Sequence, residues 1–294
     1  MKKMYICLEQ TKFIKMKKIY LKTLAVILLS SVISCNNSPV TNADDEAITK
    51  DSVNQENAGD NNSKIYTKYK FPSPMEVYTV LIDNGVKFNE EFLNDVSNFK
   101  NYTTTEKLAI NLGTYSADLA YCSLYQKNQQ TMNYFAINKS IAEKLGLTTG
   151  FNKELVARLE KNINNPDSLI ILTSNSYNDL INFLEEENRT ELLPYIIFGE
   201  WIESMYITVN STKTYSVDDI SVNIVAEQSL LFENLYDYFT ESEIDKASPE
   251  LYKDVENLYE LYIELYNNES EQITEEQFTK IKAEVSAIRN KWIK

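Results

Sequence analysis

The sequence predicts an all-α protein, and three observations carry that reading. The 294-residue chain holds only six Gly and six Pro, residues that an all-β chain spends freely at its turns. Capping signatures stand ahead of apolar runs at Thr103-x-x-Glu106, Ser248-Pro249-Glu250 and Thr274-x-x-Gln277. Apolar residues recur at helical spacing: Leu251, Val255, Leu258, Tyr262 and Leu265 form a single stripe. The expected architecture is one multi-helix bundle or irregular helical array of about nine helices, following a signal segment (1–35) and a polar linker (36–70).

Composition narrows the chemistry. The chain carries 29 Lys+Arg against 43 Asp+Glu, a net charge of −14, with no His and three Cys. Without His there is no Ser-His-Asp triad and no HExxH zinc site. Three Cys cannot build a disulfide framework or a Cys₄ metal site. An acidic chain lacks the basic face of a nucleic-acid binder.

Residues 1–35 have the layout of an export signal. Seven Lys reach to Lys22, an apolar run follows from Leu24 to Ile33, then Ser34 and Cys35. The run is shorter than the ~20 apolar residues a membrane span needs. Met16-Lys17-Lys18 would begin a signal of ordinary length, so Met16 is an alternative start to Met1. Val32-Ile33-Ser34-Cys35 resembles the lipobox of bacterial lipoproteins. That resemblance implies a diacylglycerol on the Cys35 thiol, cleavage before Cys35, acylation of the new amine, and a membrane partner reached through the lipid.

From Asn36 to about Lys70 the chain is rich in Asn, Asp, Ser and Thr and nearly free of large apolar residues until Ile65. Such a stretch buries too little surface to offset its ordering entropy, so a flexible linker is expected. Acidic residues directly after the lipid cysteine resemble a surface-export signal of Bacteroidota. Here Asp44-Asp45-Glu46 stands nine to eleven residues away, which favours the periplasmic face of the outer membrane over the cell surface.

The helices are expected in this order. Met75–Asn84 stops near Gly85, and Asn89–Phe99 follows. The Thr103 capping box starts a helix to about Lys127. Gln129–Leu145 ends with Gly146 at its C-cap. Phe151–Asn164 comes next, then 167–187 behind Pro166 at the first helical position. Thr190–Val209 has Pro194 in its first turn, although Met205–Val209 is β-branched enough to form a strand. Ser216-x-x-Asp219 opens a helix to about Phe239, Ser248-Pro249 opens one to about Asn267, and Thr274 caps the last, to Ile293. Leu112-Gly113 resembles part of a tetratricopeptide repeat, but Ala109 stands where that pattern wants Trp and no second copy lies ~34 residues away.

Two segments are nearly free of charge. Between Lys107 and Lys127 the only charged residue is Asp118. Leu108, Leu112, Tyr115, Leu119 and Cys122 form an apolar face beside small residues at Ala109, Gly113, Ser116 and Ala120, while Asn111, Thr114, Asp118 and Tyr121 share a polar face. Between Leu192 and Val209 the only charges are Glu200 and Glu203, one turn apart, where like charges repel unless a cation, an arginine, a shared proton or solvent compensates. Both segments are expected at the centre. The ligand-binding candidates are therefore Asn111, Asp118, Tyr121, Glu200 and Glu203 around one polar pocket. Oxygen ligands of this kind suit Ca²⁺ or Mg²⁺, and a carboxylate pair suits acid–base work on a sugar. In the structural alternative, Asp118 pairs with a nearby Lys, Arg or Tyr, both glutamates face water, and no cofactor is bound. Tyr252, Tyr259 and Tyr266, spaced by seven, form a row that could stack on a glycan if exposed.

Pro72-Ser-Pro74, Tyr102-x-Thr104, the string Ala109-Ile-Asn-Leu-Gly-x-Tyr-x-Ala-Asp-Leu-Ala-Tyr121, and Gly199-Glu-Trp-Ile-Glu203 together resemble a family of Bacteroidota envelope lipoproteins over about 70–210. The resemblance implies the lipoprotein class and outer-membrane placement, and brings no activity with it. Two functions follow. One is a non-enzymatic binding or scaffold lipoprotein whose partner is an envelope protein or a glycan. Residues 71–294 hold 18 basic and 36 acidic residues, a net −18 that favours a basic partner or a divalent cation and resists anionic lipid surfaces. The alternative is a carboxylate-dependent enzyme acting on glycan or peptidoglycan.

Overall fold

The computed structural model describes residues 74–147, 182–266 and 272–294, with isolated positions between 158 and 180 and at 268. The signal, Cys35 and the linker lie outside the described residues, as do all but 158, 161 and 162 of the Phe151–Asn164 helix and ten of the 21 residues of the 167–187 helix. Those described are 80% helical with no strand, so the all-α expectation holds. No described helix is long and apolar enough to cross a membrane.

Eight helices are described from end to end: α1 Pro74–Asp83, α2 Thr105–Leu124, α3 Asn128–Lys144, α4 Leu193–Ser211, α5 Ile220–Glu241, α6 Ile244–Ala247, α7 Pro249–Tyr266 and α8 Glu275–Trp292. Short 3₁₀ turns occupy Glu90–Phe92, Val96–Asn101 and Thr190–Leu192. Met205–Val209 is helical, inside α4.

Local chemistry sets the boundaries. Thr274 and Gln277 form the expected reciprocal capping box ahead of α8. Ser248 Oγ accepts from Leu251 N–H at the start of α7 (3.4 Å). Gly146, at φ +77°, ends α3; its N–H bonds the Glu143 carbonyl (3.1 Å) and the Leu147 N–H bonds that of Ala142 (2.8 Å).

Three boundaries differ from expectation. The cap of α2 is Thr104, whose hydroxyl accepts from Lys107 N–H (3.2 Å); Glu106 turns away to accept from Ser248 Oγ, tying α2 to α7. The cap of α5 is Asp219, which accepts from Ser221 N–H (2.8 Å), while Ser216 Oγ accepts from Asp218 N–H in the preceding turn. The single helix expected over Asn89–Phe99 is two 3₁₀ turns. Asn89 and Asp95 each accept from a backbone N–H two residues on, at Glu91 (3.0 Å) and Ser97 (2.7 Å). Such Asx bonds compete with a continuous helix.

The two charge-poor helices form the centre. Fifteen of the 20 residues of α2 and fifteen of the 19 of α4 are buried, and α2 on α4 is the most extensive interface in the fold. Around them α3 packs on α2, α5 and α8 pack on α4, and α7 closes against α5 and α8. α1 covers one flank, where Met75, Val77, Tyr78 and Leu81 meet Ala120, Tyr121, Ile207 and Ile224. Of the small residues expected at the contact, Ser116 is only half-buried, while Ala109, Gly113 and Ala120 are buried.

At the crossing the two backbones touch. A Cβ on Gly113 would overlap the Ile196 carbonyl oxygen and lie 2.8 Å from Glu200 N. A Cβ on Gly199 would overlap the Ile110 carbonyl oxygen and lie 3.0 Å from Thr114 N. Neither obstacle is a side chain that can swing aside, so only glycine fits at either position.

Gly113→Ala or Gly199→Ala is expected to destabilise the protein by about 3 kcal/mol or more, at the upper end of core overpacking. Gly146→Ala meets nothing closer than Arg189 Nη1 at 3.9 Å and should cost only the ~1–2 kcal/mol of a left-handed non-glycine residue. Urea unfolding of the three variants measures the ranking. Equal losses would show that the crossing relaxes.

Candidate functional site

Asp118 lies five residues beyond Gly113 on α2, and Glu203 four residues beyond Gly199 on α4. Both carboxyl groups therefore lie within about a turn and a half of the close crossing. Both residues are 0% exposed, and Asp118 lies close enough to Glu203 to feel its charge.

The cation beside them is Arg289 of α8, itself 5% exposed. Its Nε donates to Glu203 Oε2 (2.9 Å) and its Nη2 to Glu203 Oε1 (2.7 Å), the two-pronged geometry that arginine offers a carboxylate. Nη2 also donates to the Phe92 carbonyl (3.1 Å). The guanidinium lies 4.2 Å from the centroid of the Tyr206 ring. Burial opposes the charge on Arg289, but Glu203 more than restores it, and its pKa ends above the usual arginine value.

Asp118 Oδ2 accepts from the Asn94 N–H (3.1 Å), and its Oδ1 has no hydrogen-bond donor. Burial first, and then the charge of Glu203, push the Asp118 carboxyl well above the usual carboxylate range; Arg289 and the Asn94 amide oppose them. On α1 the buried Tyr78 hydroxyl lies near Ser204, Asp118 and Glu203, and burial holds that phenol protonated.

Asn94 organises the polar side of the cluster. Its Nδ2 donates to Tyr102 Oη (3.1 Å) and Asn111 Oδ1 (3.3 Å), its Oδ1 accepts from Asn98 (2.8 Å), and its carbonyl accepts from the Tyr134 hydroxyl (3.0 Å). Asn111 Nδ2 donates to the Trp292 carbonyl (3.0 Å), and the Tyr102 hydroxyl donates to that of Ile293 (2.8 Å). These donors satisfy carbonyls that the end of α8 would otherwise leave bare.

Asp118 thus lies near Glu203, and Asn111 is linked to Asp118 through Asn94. Tyr121 does not bond to the carboxylates. Its hydroxyl accepts from the Asn89 N–H (3.0 Å), and its ring packs among Tyr78, Phe88 and Tyr125. Glu200 is 6% exposed and lines a separate cavity of about 20 Å³ with Val77, Trp201, Ser204 and Gln228. That space suits one water molecule. The glutamates do not face water, which corrects the structural alternative on that point. Among the described residues no three or more Cys, Asp or Glu are grouped to hold a metal ion; the charge that Ca²⁺ or Mg²⁺ would have supplied beside Glu203 is supplied by Arg289.

The tyrosine row is also engaged. Tyr259 stacks on Tyr236 of α5 at 3.9 Å between centroids and 3° between planes, and the Tyr252 hydroxyl is 3.3 Å from that of Tyr236. The Tyr266 side chain lies outside the described residues. Cys122 is buried and free, its thiol pushed up first by burial, as an inert core residue would be.

Sequence reasoning did not find Arg289, Asn94 or Tyr78. Arg289 had a signal: it stands in phase with the buried stripe Phe278, Ile281, Val285 and Trp292, where a charge needs a buried partner. Asn94 sits between two 3₁₀ turns, where no periodicity marks it. No family model, curated protein or solved structure matches the chain.

Chemically, the arrangement holds a fold together more readily than it attacks a substrate. Both oxygens of Glu203 are occupied and Asp118 is sealed from solvent. Arg289→Met would leave Glu203 buried without its cation and is expected to cost about 3–5 kcal/mol. Glu276→Gln, which breaks the exposed pair with Lys280, should have no measurable effect. Chemical denaturation compares them, and an Arg289→Met loss as small as the surface variant's would mean that water reaches the pair.

Proposed function

We propose that the chain is a lipid-anchored lipoprotein of the outer membrane that works as a non-enzymatic binding or scaffold protein. Cys35 carries the acyl chains, and the helical domain is presented on the periplasmic side. The anchor rests on the signal grammar ending at Ser34-Cys35. Several acyl chains hold a protein on a bilayer firmly, since each buried methylene contributes ~0.8 kcal/mol.

The non-enzymatic part rests on one observation above all. The carboxylates an acid–base mechanism would use are fully buried, and Glu203 is committed through both oxygens to Arg289. A general base must reach the proton it takes. Glu200 is the remaining acid of the candidate set, and its cavity of about 20 Å³ is far smaller than the ~300 Å³ at which ligand pockets begin. Recognition then falls to the outer surface. The net −18 of residues 71–294 favours a basic envelope protein over an anionic lipid face or a nucleic acid.

Cys35→Ala is expected to move the protein from the membrane fraction to the soluble fraction, with loss of the fatty-acid mass from the intact protein. An unchanged membrane fraction would overturn the anchor. Incubation of the purified protein with peptidoglycan fragments should release no new product; a release that Glu200→Gln abolishes would restore the enzyme reading.

A further inference from the structure

The buried cluster contains more acid than base. Asp118 and Glu203 are both sealed from solvent, and Asp118 lies within reach of the charge of Glu203. Arg289 spends two nitrogens on Glu203 and one bond on the Phe92 carbonyl, so its single charge is matched by Glu203 alone. The titratable and charged groups that act on Asp118 or feel its charge are Glu203 from α4, Arg289 from α8, Tyr78 from α1, Tyr134 from α3, and Tyr115, Tyr121 and Cys122 from its own helix. Arg289 is the one cation in that set. An ionised Asp118 would be a second buried anion with nothing to balance it, and charges out of water are tolerated only when paired. Asp118 Oδ1, which lacks a donor, gains a role if it carries a hydrogen itself: the acid becomes a donor, and Glu203 is the neighbouring acceptor.

We propose that Asp118 and Glu203 form a buried proton-binding site, in which one proton on Asp118 Oδ1 is donated to Glu203 and makes the Asp118–Glu203–Arg289 cluster electrically neutral. The proton is part of the fold. Its loss to solvent in alkali sets two anions face to face at the junction of α2, α4 and α8 and loosens that junction. This inference rests on the reading of the acid pair as structural and is independent of the lipid on Cys35, so the two can fail separately.

The sign of the pH dependence follows from linkage. A carboxyl whose folded pKa is raised contributes stability that is complete below its unfolded value, about 3.9 for Asp, and is lost as pH rises through the folded value. Asp118→Asn keeps the shape, can still donate an N–H to Glu203, and cannot ionise. In urea unfolding of the whole chain across a pH series, the unfolding constant of the wild type relative to Asp118→Asn is expected to rise about tenfold per pH unit above ~4 until Asp118 ionises in the folded state. Parallel curves would overturn the proposal, as would a dependence on sodium concentration in place of pH. A second measurement needs no variant. Carbon-13 NMR of the wild-type chain labelled at aspartate carboxyls should show one carboxyl still neutral at pH 7, where its fellows are ionised. A spectrum with every aspartate ionised at pH 7 sinks the idea, whether or not Asp118→Asn folds.

Discussion

The close crossing of α2 and α4 at Gly113 and Gly199 governs the rest of the structure. Each glycine faces backbone on the other helix, so the axes approach as nearly as backbones can. Helices advance ~1.5 Å per residue. Asp118 is thus ~7.5 Å along α2 from Gly113 and Glu203 ~6 Å along α4 from Gly199, each within about a turn and a half of the crossing. The two missing side chains let the helices that carry these acids approach closely.

Bringing two carboxyls into a dry space is unfavourable on its own, and the remaining elements are arranged to relieve it. α8 supplies Arg289, the segment between the 3₁₀ turns supplies the Asn94 N–H, and α1 closes the flank with Tyr78. A buried ion pair adds little net stability compared with a well-packed apolar substitute, yet removing one partner is costly. Asn94 extends the same logic outward, joining Asn111, Tyr102 and Tyr134 into one hydrogen-bonded network. The carbonyls at the end of α8 are held by α2 and by the segment before it, so the polar cluster and the C-terminal helix are one unit.

Much of this was legible in the residues. The scarcity of charge in 108–126 and 192–209 placed α2 and α4 at the centre, because a helix with almost no charge on any side is buried all round. The same test singled out Asp118 and Glu203 as the charges that burial would have to accommodate. Their shared location was a guess that the glycine crossing turned into geometry. Caps were readable to within a few residues: Thr274 held, whereas Thr103 yielded to Thr104 and Ser216 to Asp219, since adjacent polar residues compete for the same N–H groups. The partner of Glu203 was harder to see. Arg289 is 86 residues away in sequence, and nothing local pairs an arginine on one helix with a glutamate on another. Glu200 and Tyr121 show the opposite limit: helical spacing grouped them with the carboxylates, but Glu200 lines a separate cavity and the Tyr121 hydroxyl bonds the Asn89 N–H.

The distance along the chain between Arg289 and the groups it serves has a kinetic side. Phe92 is 197 residues from Arg289, and Tyr102 is 191 from Ile293. Contacts so remote form late, because the entropy of closing long loops comes due before they can repay it. Until α8 docks, the α2–α4 pair holds Glu203 without its counter-ion, so the docking of α8 is the step that neutralises the centre of the fold.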